Sequence, residues 1–141
     1  MKVLIDTNVA LNFVSGREDK YSEQSDRIML LCAEERVEGF LAFHSLSTIW
    51  YVTRKAPDEI RRDWIRQICT ILTVVGANNR TILDAVDNTA FKDFEDALQD
   101  CCAIDADIDY ILTVNKKDFV NHSKTRAITP EEFLAIISDS H

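Results

Sequence analysis

Acidic side chains carry the clearest chemical signal in this 141-residue chain. Asp6 follows the apolar run Lys2 to Ile5, and Asp118 closes the stretch Lys116-Lys117-Asp118. Between them Asp93 and Asp96 are spaced to share a helix face, with Asp100 one turn further on. The apolar stripe Phe94, Ala97, Leu98, Cys101 and Ile104 lies opposite, so these acids can face a cleft. Carboxylates gathered at one point repel one another and raise a pKa. A hard divalent cation removes that cost, and Mg²⁺ and Mn²⁺ prefer oxygen ligands. Such an ion can activate water and neutralise the charge building on a phosphodiester. An acid-rich cleft without His or Cys ligands therefore points to metal-assisted phosphodiester hydrolysis. Taken singly, each acid also has a plainer reading: Asp6 as a helix N-cap, Asp93, Asp96 and Asp100 as a solvated face, Asp118 as part of a charged turn.

The pattern of the chain says which elements must hold these residues. Lys2 to Ile5 reads as a strand, and Val9, Leu11, Phe13 and Val14 as a short helix closed by Ser15-Gly16. After a charged loop, a second helix begins beyond Ser22 and carries Ile28, Leu30, Leu31, Cys32 and Val37. Phe40 to Phe43 is a second strand, with Ser45 or Ser47 capping a third helix to about Lys55. Pro57-Asp58-Glu59 opens a fourth, with Ile60, Trp64, Ile65, Ile68, Ile71 and Leu72 on its apolar face. Val74-Val75 is a brief strand, followed by a helix over Thr81 to Val86 and an amphipathic helix over residues 93 to 104. Tyr110 to Val114 and Ala127 to Thr129 are strands, and Pro130-Glu131-Glu132 starts the last helix. Strands alternating with helices imply an α/β fold with a mostly parallel sheet covered on both faces. In such sheets, sites form beyond the carboxyl ends of the strands, where Asp6 and Asp118 fall.

Composition fits one soluble domain over residues 1–141, with 46% hydrophobic and 28% charged residues. No signal-type run develops before Asp6 and Asn8, and no apolar stretch is long enough to span a bilayer, so a cytoplasmic protein is expected. Cys32, Cys69, Cys101 and Cys102 form no C-x-x-C pair and His44, His122 and His141 are scattered, which disfavours zinc. The cysteines read as small buried hydrophobes in a reducing compartment. A net charge of −8 argues against a protein that coats nucleic acid, though not against an enzyme that binds it locally. The basic groups at Arg54-Lys55, at Arg61, Arg62 and Arg66, and at Lys116-Lys117 read first as solvated surface. Trp50 and Tyr51 read as core or interface packing in preference to base stacking.

Four segments together resemble the PIN-domain family. LIDTNVALNF (4–13) resembles the strand that delivers a first catalytic Asp, followed by Thr and Asn. DFEDALQ (93–99) resembles the helix motif in which an Asp precedes Ala-Leu, which selects Asp96. YILTVNKKDF (110–119) resembles the strand and turn that bring Asn and then Asp-Phe to the site, and ITPEEFL (128–134) the tail of a toxin-like subgroup. The likeness spans nearly the whole chain in the family's order and spacing. It implies a PIN-like three-layer α/β/α fold and an Mg²⁺- or Mn²⁺-dependent endoribonuclease. It also implies a VapC-type toxin of a type II pair, with RNA as substrate, a small antitoxin as partner, and a homodimer in many relatives. Asp6, Asp96 and Asp118 carry over as catalytic and metal-holding carboxylates. Asp93, Asn115, Thr7 and Asn8 carry over as supporting polar residues.

One position departs from the family. Most PIN nucleases place a Glu in the third helix, and within HSLSTIWYVTRK (44–55) that place falls on Thr48. The subgroup suggested by DFEDA and TPEEF often has Asn there. Thr48 can hydrogen-bond but brings no charge, so metal affinity should rest more on Asp93. With the net charge, this motivates the alternative of a PIN-fold binding or regulatory module with weakened catalysis. A phosphotransfer domain with an Asp nucleophile is set aside, because the second Asp it needs is Asn8 here.

Overall fold

Strand β1 (Lys2–Ile5) is the centre of the fold, with Val3, Leu4 and Ile5 wholly shielded from solvent in the computed structural model. The structure describes residues 1–16, 20–120 and 122–139; the charged loop expected after Gly16 falls mainly on 17–19, outside them. Helix α1 (Thr7–Ser15) follows β1 at once and ends at Gly16, whose φ of 64° suits a residue without Cβ. Helix α2 (Ser22–Ala33) leads to strand β2 (Glu38–Ala42), and helix α3 (Phe43–Val52) starts with no intervening loop. Then come α4 (Asp58–Ile71), β3 (Thr73–Val75), α5 (Asn79–Asp87), α6 (Phe94–Asp105), β4 (Tyr110–Leu112), a 3-10 turn (Lys116–Asp118), β5 (Arg126–Ile128) and α7 (Pro130–Asp139).

The strands form one five-stranded sheet in the order β3-β2-β1-β4-β5, and every pairing is parallel. Successive side chains on a strand point to opposite faces, and the core divides accordingly. Val3, Ile5, Leu41, Leu112 and Ile128 join Val9, Leu11, Ile28, Met29, Ile68 and Phe133, from α1, α2, α4 and α7, on one face. Leu4, Ala42, Ile111 and Ala127 join Ala85, Ala97, Cys101 and Ala103, from α5 and α6, on the other. This is the three-layer α/β/α arrangement with a mostly parallel sheet expected from the sequence. Each fully buried aliphatic side chain stabilises by roughly 1.5–3 kcal/mol. A one-residue slip of β1 would exchange its faces and lose several such contributions. The chain leaves β1 toward β2 on one side and returns as β4 on the other, so the strand order switches direction at β1. A crevice is expected beyond the carboxyl ends of β1 and β4.

Several boundaries differ from the sequence reading. The strand expected over Phe40 to Phe43 runs from Glu38 to Ala42, because Phe43 already opens α3. Neither Ser45 nor Ser47 caps that helix; Ala42 holds the cap position and Ser45 is buried within α3. The second helix ends at Ala33, so Val37 lies beyond it and packs in the core just before β2; β4 stops at Leu112 and β5 is displaced by one residue to Arg126–Ile128. Ile60 is exposed, since the first turn of α4 extends past the core. Cys32, Cys101 and Cys102 are buried free thiols as expected, and burial pushes them up to about 12, 11 and 11. Cys69 is exposed. Tyr51 is exposed too, with the Arg54 guanidinium 4.3 Å above its ring, and Trp50 is half-buried under Arg61 at 3.7 Å. The pair thus forms a basic-aromatic surface and lies outside the core. On α4, Arg62 and Arg66 pair with Asp58 and Asp63, as a solvated helix face would.

Candidate active site

Asp6 is the first residue past β1, and its backbone N–H still reaches the Leu112 carbonyl of β4 at 3.0 Å. Its φ and ψ are extended, which lets the carboxylate turn back and cap α1 by accepting the Thr7 N–H at 2.8 Å. The other carboxylate oxygen accepts the hydroxyl of Thr113, the first residue past β4, at 2.8 Å. Neighbouring parallel strands thus end in a matched donor and acceptor. Asp6 is only 6% exposed, and burial is the main cause that pushes its pKa up to about 6. The Thr113 and Thr7 hydrogen bonds oppose the rise, while the charges of Glu95 and Asp118 add to it.

Asp96 lies in the first turn of α6 and is half-buried. Burial first, then the charges of Asp6, Asp93, Asp118 and Glu95, push its pKa up to about 7. Asp118 is exposed on the 3-10 turn that follows β4, with its N–H bonded to the Asn115 carbonyl at 2.9 Å. Asp93, Asp96 and Asp118 line one cleft of about 510 Å³ together with Lys92, Lys117 and His122. Asp6 sits behind them, within electrostatic reach of Asp96.

The expected supporting residues divide. Thr7 is buried, and its hydroxyl lies 2.8 Å from that of Ser45. Thr48 donates to Glu95 Oε1 at 3.3 Å, and Thr7 donates to the same oxygen at 3.4 Å. Asn115 is exposed and donates its backbone N–H to the Thr113 hydroxyl oxygen at 3.0 Å. Asn8 is exposed on α1. Asp93 does not share a helix face with Asp96: it precedes α6 as its N-cap, accepting the Glu95 N–H at 2.8 Å. It still reaches the cleft wall. Asp100 leaves the group entirely. It is buried, and its two oxygens accept the N–H groups of Lys124 and Thr125 at 3.1 Å, fixing the approach to β5. Lys116 is also diverted, to Glu132 at 2.9 Å. Glu132 in turn exchanges hydrogen bonds with Thr129, so the TPEE segment acts as a capping box for α7.

Glu95, Thr113 and Gln99 had no role in the sequence reading, and Ser45 had only that of a helix cap. Gln99 is wholly buried and donates to Thr7 at 3.1 Å and to Ser45 at 3.0 Å, tying α6 to α1 and α3. The His44 ring lies beside Glu95, and burial lowers its pKa. Gln99, flanked by Leu98 and Asp100, carried no spacing signal that would have revealed this network.

The donor set suits a hard cation. It is all oxygen, and the Asp6 and Asp96 carboxyls are raised by burial and then by neighbouring carboxylates, a penalty that a divalent ion offsets. Among the described residues, no three acidic, His or Cys side chains are close enough to hold an ion as they stand.

A protein-family model for the PIN domain matches residues 2–117. No curated protein matches the sequence. Two solved structures are similar in fold. VapBC2 from Rickettsia felis, bound to a DNA fragment from its promoter, gives a TM-score of 0.70 at 14% identity, covering 92% of this chain and 98% of that one. VapC20 of Mycobacterium tuberculosis, a sarcin-ricin loop cleaving toxin, gives 0.64 at 15% identity, covering 88% and 98%.

Proposed function

The chain belongs to the PIN-domain family, and from that premise we propose that it is a metal-dependent endoribonuclease, the toxin of a type II toxin–antitoxin pair. The observation that supports the reading is the pair Asp6, at the end of β1, and Asp96, in the first turn of α6, each raised by burial and by neighbouring carboxylates. Residues 1–141 act as one PIN domain of the subgroup marked by DFEDA and TPEEF. Asp6, Asp96 and Asp118 hold Mg²⁺ or Mn²⁺, with Asp93 assisting from the N-cap of α6. When bound, such an ion lowers the pKa of a coordinated water and neutralises charge on the phosphodiester. Thr113 and Thr7 fix the Asp6 carboxylate by one hydrogen bond to each oxygen, so it pays little reorganisation on binding. Lys117 and Lys92, on the cleft wall, attract the RNA backbone.

The two fold neighbours support the toxin reading, one being a VapBC complex and the other a toxin that cleaves the sarcin-ricin loop. On that reading a small antitoxin neutralises this chain by placing a Lys or Arg among the carboxylates. No described helix is long and apolar enough to cross a membrane; the proposed action on RNA takes place in the cytoplasm. Cleavage of RNA with Mn²⁺ tests the proposal. Asp6→Asn and Asp96→Asn should each cut at least about a hundredfold more slowly than wild type. Equal cleavage by all three proteins overturns it. The rival reading, a PIN-fold module with weakened catalysis, is favoured by the uncharged Thr48; calorimetric titration showing no Mn²⁺ binding at millimolar metal would select it.

A further inference from the structure

Helix α3 forms one wall beside Thr7 yet carries no acidic residue from Phe43 to Val52. What faces it is Glu95, the second residue of α6. One Glu95 oxygen, Oε1, takes the Thr48 hydroxyl from α3 and the Thr7 hydroxyl from α1. Behind Thr7, the Gln99 amide donates to both the Thr7 and Ser45 oxygens, which lie 2.8 Å apart. With Ser45 donating to Thr7, the Thr7 proton stays free for Glu95. The buried network is therefore ordered toward a carboxylate acceptor at position 95. Among the described residues no Lys or Arg forms an ion pair with Glu95. Its charge acts on Asp6, on Asp96 and on the His44 ring, whose pKa burial lowers overall, which places Glu95 in the electrostatic neighbourhood of the two acids.

We propose that Glu95 is a working carboxylate of the cleft: held on the α1–α3 side by the Thr7 and Thr48 hydroxyls, it gives a bound divalent ion the acidic oxygen that α3 lacks. This rests on the metal-site reading above. Two long hydrogen bonds to one oxygen orient the group without neutralising it, and ligand charge count governs affinity for hard cations. A merely structural Glu95, bracing α6 on α3, would need only an acceptor there, and Gln supplies one.

Calorimetric titration with Mn²⁺ alone, using the full chain, separates these roles. Glu95→Gln should keep its fold and bind Mn²⁺ about tenfold more weakly than wild type. The double variant Glu95→Gln with Thr48→Glu should recover most of that loss, because a carboxylate from position 48 reaches the same space across 3.3 Å. Asp96→Asn serves as the control for the underlying site. Glu95→Gln binding as tightly as wild type while Asp96→Asn fails to bind overturns the role of Glu95 and leaves the site standing. A double variant no tighter than the single one also overturns it. Absence of binding by wild type overturns both readings.

Discussion

The Thr113 hydroxyl donates to Asp6 Oδ2 across 2.8 Å, joining the first residue beyond β4 to the first beyond β1. The bond favours the ionised carboxylate and opposes the rise that burial imposes on Asp6. Removing it in Thr113→Val should drive the Asp6 pKa above its present value of about 6. Metal and proton compete for the same oxygens. Mn²⁺ titrations across pH should then show the binding midpoint moved upward, with affinity at neutral pH about tenfold weaker. An unchanged midpoint would remove Asp6 from the metal-binding group.

Asp96 fixes the sign of a stability change. Its folded pKa, about 7, lies above the ordinary value of 3.8, so the metal-free native state holds more protons than the unfolded chain between those values. Stability is therefore full below the unfolded pKa and declines as pH rises toward 7. Asp96→Asn stays neutral throughout and should melt about 2–4 °C higher than wild type at alkaline pH without metal. The difference should vanish near the lower pKa. Thermal melts at several pH values read this directly; a variant less stable than wild type above neutrality contradicts the burial and carboxylate repulsion that raise Asp96.

Asp100 belongs to the scaffold. Asp100→Ala strands the N–H groups of Lys124 and Thr125, and should cost about 1–3 kcal/mol in chemical denaturation. Its Mn²⁺ affinity should match wild type. A loss of metal binding with stability intact would return Asp100 to the site.

These contrasts show what the sequence could convey. The parallel sheet was legible because β1 and β4 are short apolar runs with helical spacing between them, and the switch point placed Asp6 and Asp118 near one crevice. The β2–α3 junction was misread because Phe43 favours strands in isolation, while the backbone there turns straight into a helix. Asp93 and Asp100 looked like one helical face with Asp96. Helix spacing cannot tell a cap from a first-turn residue, or say that a loop will bring two N–H groups onto Asp100. Glu95 lay inside a motif that singles out Asp96; its importance depends on which hydroxyls α1 and α3 turn toward α6, a matter of tertiary packing. Thr48 was correctly seen as uncharged, but the carboxylate it hydrogen-bonds could not be read from spacing.

The most direct measurement is anomalous scattering from crystals soaked in Mn²⁺. A peak bounded by the carboxylates of Asp6 and Asp96 is expected, with Asp118 drawn toward it, and no such peak in crystals of Asp96→Asn. A saturated wild-type crystal without manganese at these carboxylates, or with it bound elsewhere, contradicts the account.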